Sequence, residues 1–252
     1  MGAQLRAPAT RRAGQAAIPP PRPEIKHPVR IAVRLVIGAA VIFGFISLLG
    51  FLYTRYLNTG PYHRADLGVV VWLEHHRTAL WDHITLVGTE LGKTETAIIV
   101  TAVLAVLLRL LCRRWYESMV MVIMMLGEVV IYVSVTKVIH QQRPPVIRLD
   151  VAPPTSSYPS GHTAASVALY GGFAIILLWF YAGRPLVRVI AGVLWFVPVF
   201  VGFSRLYRGM HYPTDVAAGA LLSALWLILV VKTFLPRRQP RPQTADPPAP
   251  ST

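Results

Sequence analysis

Six stretches of about twenty apolar residues constrain this chain more than any other feature of its sequence. They lie at roughly 29–53, 95–112, 116–139, 163–182, 186–204 and 214–235. About twenty helical residues cross the hydrocarbon core of a bilayer. A backbone inside lipid must satisfy its own polar groups, which leaves helix as the solution for separate apolar runs of this length. Only 14% of residues are charged, against about 25% in a soluble domain. The expectation is an all-α, six-transmembrane-helix bundle over residues 29–235. Residues 60–94 differ, because they mix apolar positions with Asp66, Glu74, His75, His76, Asp82, His83 and Glu90. That mixture predicts short amphipathic helices between the first and second spans, lying on the membrane or against the bundle; a seventh span is the alternative. Residues 1–28 and 236–252 are rich in proline, with alanine and arginine in the first and polar residues in the second. Neither buries enough apolar surface to fold, so both are expected to be disordered tails. The first apolar run is too long for a signal-peptide core and is read as a retained helix.

The net charge is +14. In a soluble protein that charge would point to nucleic acid. Here the arginines flank apolar runs, so the expected partners are the lipid bilayer and its anionic headgroups, not nucleic acid. Sixteen of the 25 Lys and Arg residues fall in the two tails and the adjoining helix ends (Arg30, Arg34 and Lys232), at Arg109, Arg113 and Arg114, or at Arg184 and Arg188. Excess positive charge marks the cytoplasmic side. The reading is a multi-pass plasma-membrane protein with both termini cytoplasmic and its histidine-bearing loops on the extracytoplasmic face. Cys112 is the single cysteine, which excludes an intrachain disulfide.

Two short stretches carry the chemistry. Pro159-Ser160-Gly161-His162 stands just before the fourth apolar run. Ser160 suits a helix cap, and Gly161 lets backbone approach a ligand closely. The free N–H groups and positive dipole end of that helix suit a phosphate oxyanion. An ordinary serine-capped helix after a proline-rich loop is the bland alternative. The second stretch is Ser204-Arg205, five residues, His211, three residues, Asp215. With Pro213 opening the sixth helix, His211 and Asp215 lie together at its entrance. An aspartate accepting the imidazole N–H would fix the tautomer and leave the other nitrogen as nucleophile or base; a hydrogen bond that merely closes a turn is the alternative. Lys137, Arg143 and Arg205 add cations at the same membrane face, where arginine binds phosphate in bidentate fashion. No ligand spacing for a metal is present, and no cofactor is expected.

These motifs resemble the signatures of the type 2 phosphatidic acid phosphatase (PAP2) superfamily of membrane lipid phosphatases. Those signatures are Lys-x6-Arg-Pro, Pro-Ser-Gly-His and Ser-Arg-x5-His-x3-Asp. The second and third are intact here. In the first, five residues rather than six separate Lys137 from Arg143-Pro144. The resemblance covers about residues 29–235. It implies catalytic His211, His162 and Asp215: His211 attacks phosphorus to give a phosphohistidine, Asp215 orients it, and His162 protonates the leaving oxygen and later activates water. It implies phosphate binding by Arg143, Arg205, Ser160, Gly161 and Lys137, without metal. The substrate would be a membrane lipid phosphate, such as phosphatidic acid or phosphatidylglycerol phosphate, or a polyprenyl diphosphate. Phosphate transfer to an acceptor lipid or sugar, and non-catalytic lipid binding or transport, are the competing functions.

Smaller features complete the reading. Glu128 within the third span costs about 2.5–3.5 kcal/mol on insertion scales, so it is expected to face the bundle interior in a structural hydrogen bond. Tyr158, Tyr207 and Tyr212 are expected at the interface or the headgroup entrance. Arg148 and Arg208 are candidates for a second phosphate.

Overall fold

The computed structural model describes residues 27–181 and 183–235. The expected disordered tails therefore lie outside the described residues, apart from His27 and Pro28. The described chain forms eight helices and no strand. They are α1 (Pro28–Leu52, extended by one wide turn, Tyr53–Leu57), α2 (Pro61–His75), α3 (Ala79–Leu91), α4 (Thr94–Cys112), α5 (Tyr116–Val138), α6 (Gly161–Tyr181), α7 (Pro185–Tyr207) and α8 (Pro213–Phe234). Six of them, α1 and α4–α8, are long and apolar enough to cross a membrane, and they coincide with the six apolar runs. The intervening α2 and α3 are short helices of the kind expected there, rather than a seventh span.

The bundle is built around α6. Two thirds of its apolar window (67%) is buried inside the protein, against 11% for α4. It packs against α5, α7 and α8, while α1 lies on α5 and α8, and α3 lies along α7. The core between them is aliphatic and sulfur-rich, with Met121, Met124, Leu169, Leu222 and Leu227 buried. Val36, Val41, Leu110, Leu111, Val193 and Phe196 are instead exposed. In a soluble protein such an outer surface would be untenable, whereas against acyl chains it is the favourable one.

Between helices already in lipid there is no hydrophobic drive to associate, so close packing and hydrogen bonds hold the bundle together. Gly127 of α5 shows the first. A Cβ there would lie 1.9 Å from the Trp226 ring of α8, so only glycine lets that indole reach the α5 backbone. Its Nε1–H then donates to the Met124 carbonyl at 3.0 Å. Ser223 Oγ of α8 shows the second, donating to the Ala164 carbonyl of α6 at 2.7 Å.

The two amphipathic helices brace the membrane ends near the signature motifs. Asp66 of α2 is buried. It accepts from the Tyr53 hydroxyl at 2.6 Å, from the Thr214 N–H at 3.1 Å and from the Thr214 hydroxyl at 2.6 Å. One carboxylate thus ties the end of α1 to the start of α8. Arg77, between α2 and α3, donates to the carbonyls of Ile147 at 2.8 Å and Tyr207 at 3.1 Å.

Gly127→Val forces a side chain into the space held by Trp226. It is expected to destabilise the protein by about 1–3 kcal/mol, the usual cost of overpacking, read as a lower thermal midpoint in detergent.

Candidate active site

The site begins where α5 ends and the chain runs without regular structure from 139 to 160. Ser160 is the residue before α6 and is fully buried. Its hydroxyl lies 3.0 Å from the Thr163 hydroxyl and makes no bond to the helix backbone. The capping bond expected of it is therefore replaced by a side-chain pair. Its backbone is used instead: the Ser160 N–H donates to the Asp215 carbonyl at 2.9 Å. Gly161 has a packing reason of its own, because a Cβ there would lie 2.6 Å from the Tyr132 ring of α5.

The second motif is carried by the α7–α8 turn. Arg205 and Ser204 lie in the last turn of α7, which continues past the expected end at 204 to Tyr207. Gly209 then turns the chain in the left-handed region at φ 71°, which ends a helix cleanly only where a side chain is absent. Pro213 opens α8, as expected. Asp215, one turn in, accepts the Tyr212 N–H at 2.9 Å.

Ser157 joins the two motifs, and nothing in its local pattern marks it out. It is fully buried. Its hydroxyl donates to Asp215 Oδ2, and its carbonyl lies 2.9 Å from His211 Nδ1. A carbonyl can only accept, so Nδ1 carries the hydrogen and Nε2 is left with its lone pair. The tautomer expected from Asp215 is thus set by the Ser157 carbonyl. Asp215 Oδ2 stands farther off, 3.5 Å from Nδ1, close enough to stabilise positive charge on the ring. Burial lowers the His211 pKa below the ordinary imidazole value, outweighing the upward pull of Asp215.

The arginines divide into two kinds. Arg205 and Arg208 are both buried, and Asp150 lies between them. Asp150 Oδ2 is 2.8 Å from Arg205 Nη1, and its Oδ1 is 2.8 Å from Arg208 Nε. Thr89 adds a short hydrogen bond to Arg205. Despite the desolvation that opposes it, Asp150 is held below the usual carboxylate range by these two guanidiniums. Arg208 is fully occupied, since it also donates to the Asp82 and Leu149 carbonyls at 3.0 and 3.2 Å. It is a structural cation rather than the second-phosphate ligand considered from sequence. Arg143 donates to the Met210 carbonyl at 2.9 Å, and its Nη1 is 3.5 Å from His211 Nε2. The buried Nε–H groups of Arg143 and Arg205 have no partner.

Arg143, Gly161, His162, Arg205 and His211 all line one cavity of about 510 Å³. It continues between α4 and α5 past Tyr132 to Ala97, Ile98, Met125 and Leu126. Ile98 and Leu126 are 65% and 61% exposed, so the cavity opens sideways through the bundle wall. One end therefore presents two imidazoles and two guanidiniums with unused donors, and the other presents hydrocarbon. Lys137 is not part of it: this residue is exposed in the last turn of α5 and lines none of the cavity. Tyr158 and Tyr207 are likewise buried struts, not entrance residues; the Tyr158 hydroxyl donates to the Ile46 carbonyl of α1 at 2.9 Å. Among the described residues no group of three or more His, Cys, Asp or Glu could hold a metal ion.

Comparison with known proteins adds a family match and a shared fold. Residues 117–239 match the family model of the PAP2 superfamily. The chain is 42% identical over 79 residues to a protein named bacitracin transport permease protein BcrC from Bacillus licheniformis, covering 31% of this chain and 34% of that one. It is 36% identical over 96 residues to phosphatidylglycerophosphatase B of Bacillus subtilis, covering 35% and 45% respectively. The matches thus span less than half the length of these relatives. The crystal structure of a transmembrane PAP2-type phosphatidylglycerolphosphate phosphatase from Bacillus subtilis superposes with a TM-score of 0.65 at 21% identity, over 81% of this chain and 94% of that one. It shares the fold.

Asp150→Ala leaves two buried guanidiniums without their acid and is expected to cost about 3–5 kcal/mol, the usual penalty for breaking a buried pair from one side. A carboxylate with a lowered folded-state pKa stabilises above its unfolded value and loses that contribution as pH falls through the folded value. Thermal midpoints of the wild type should therefore fall on acidification below about pH 4, and Asp150→Asn should show a smaller acid slope.

Proposed function

Since the chain belongs to the PAP2 superfamily through residues 117–239, we propose that it is an integral membrane lipid phosphatase that works through a phosphohistidine and without metal. The observation that carries this reading is the two-ended cavity: His162, His211, Arg143 and Arg205 at one end, a lateral apolar slit at the other. An amphiphile with its phosphate in the first and its chain in the second needs no other space.

The chemistry follows from the residues. The lone pair on His211 Nε2 attacks phosphorus, a P–N bond forms, and the P–O bond to the lipid breaks. His162 gives its proton to the departing oxygen. The positive charge that develops on the His211 ring is stabilised by Asp215 and by the Ser157 carbonyl. Arg143, Arg205 and the Gly161 N–H hold the equatorial oxygens, where preorganised donors act on developing charge. Ser160 supports that N–H through its place before α6. His162 then takes a proton from water, whose oxygen attacks the phosphohistidine, releasing inorganic phosphate and restoring His211. Lys137 has no place in this scheme. Phosphatidic acid, phosphatidylglycerol phosphate and polyprenyl diphosphates are the substrates of this class. Arginine placement supports a plasma-membrane orientation with both termini cytoplasmic and the site extracytoplasmic.

A transport function is the competing reading, and the name of the Bacillus licheniformis relative favours it. The site favours hydrolysis, because transport alone has no use for a histidine whose Nδ1–H is pinned and whose Nε2 stands beside Arg143.

Phosphate release from phosphatidic acid, phosphatidylglycerol phosphate and a polyprenyl diphosphate, measured in EDTA with purified protein, decides the matter. Release that vanadate inhibits and His211→Ala abolishes is the expected result; full activity of that folded variant would remove His211 as nucleophile. Arg205→Ala should lower turnover by about 10²–10³, the loss seen for one oxyanion donor. Because burial keeps the His211 ring neutral at pH 7, the acid limb of kcat/KM should lie below the ordinary imidazole value. Asp215→Asn removes an upward pull on that pKa, so it should lower kcat and move the limb to more acidic pH.

A further inference from the structure

Glu128 is the one acid on the wall of the lipid end of the cavity, among the described residues. It is 1% exposed, and neither of its carboxyl oxygens has a hydrogen-bond partner. The structural hydrogen bond expected of it from the sequence is not there. An unpaired carboxyl in such surroundings is costly. Its place relative to the phosphate end is fixed by α5. Glu128 and Tyr132 are four residues apart and share a helix face, with a rise of about 6 Å between them. The Tyr132 ring is the group that a Cβ on Gly161 would strike. Glu128 therefore sits about one helical turn toward the lipid from the level at which Gly161 meets the phosphate. Beyond Tyr132 the described cavity wall holds threonines, apolar residues and Glu128, and no cation.

That level is where substrates differ. In a lipid diphosphate the attacked phosphorus is the terminal one, so the second phosphate lies on the lipid side of it. It would meet Glu128 and find no guanidinium. In a lipid monophosphate built on diacylglycerol the same level holds uncharged ester oxygens, which accept a hydrogen bond from the carboxyl group that burial keeps neutral. We propose that Glu128 is a specificity-determining residue: as a neutral donor it selects lipid monophosphates whose linker carries uncharged oxygens, while the absence of a cation at its level disfavours lipid diphosphates. The proposal rests on the lipid-phosphatase reading and narrows its substrate class.

The test compares kcat/KM for three substrates in mixed micelles: diacyl phosphatidic acid, a long-chain alkyl phosphate without linker oxygens, and a polyprenyl diphosphate. The wild type should prefer phosphatidic acid over the alkyl phosphate by about tenfold, the worth of one hydrogen bond, and should handle the diphosphate least well. Glu128→Leu, which replaces an acid by an apolar residue in the bundle, should bring the first ratio close to one. Glu128→Gln, which can still donate and accept, should keep the first ratio. Binding of the same three lipids to His211→Ala and to the His211→Ala/Glu128→Leu pair reads the selection without turnover. A first ratio unchanged by Glu128→Leu, or a wild type that prefers the diphosphate, would overturn the proposal. Absence of phosphate release from all three lipids would overturn the phosphatase reading instead, and the binding ratios would still decide the role of Glu128.

Discussion

Burying positive charge at the edge of a membrane is the constraint around which this protein is organised. Arg205 and Arg208 are both buried at the end of α7, where an uncompensated guanidinium is strongly unfavourable. Asp150 answers both, one oxygen to each. This holds the long 139–160 segment down onto α7 and fixes Arg205 by one nitrogen. The rest of that guanidinium remains available to the cavity. Had Arg205 a carboxylate to itself, it would be neutralised as a pair. Shared with Arg208, one acid leaves an excess of positive charge beside His211, which suits an anion.

The second organising element is a junction between distant segments. Ser157 precedes His211 by 54 residues, yet its carbonyl orients the imidazole and its hydroxyl holds the aspartate behind it. Backbone pairing of Ser160 with Asp215 reinforces the same contact. The start of α6 and the start of α8 are thereby locked together, and with them His162 and His211. Asp66 of α2 secures the same end of α8 from the other side. The amphipathic helices thus act as a brace for the geometry of the candidate site. They do not extend the membrane bundle.

A third property, the division of the cavity into a charged and an apolar end, follows from the outlying position of α4. It is the least buried of the spans. The space between it and α5 is filled in part by residues that also face outward, such as Ile98 and Leu126. Arg143 stands at the crossing of this slit and two polar grooves over the loop. The cavity consequently offers separate surroundings to a charged group and to an apolar chain.

Apolar length alone determined the spans, because lipid leaves a backbone of that length no alternative to helix; the six predicted runs and the pair of short helices at 60–94 were legible for that reason. The motif residues were legible too, since Ser-Gly-His before a helix and His-x3-Asp around a proline are local patterns with local chemistry. What the sequence could not reveal was pairing over distance. Ser157 is one serine among several in a polar loop, and Asp150 one acid in a basic segment. Only the folded bundle brings the first to His211 and the second between two arginines. The same holds in reverse for Lys137, Arg208 and Tyr158. Composition made them candidates for the phosphate or its entrance, and the tertiary structure turned one outward and spent the others on packing. Local pattern states which groups a chain can offer; desolvation and the positions of neighbouring helices decide which of them remain free to act.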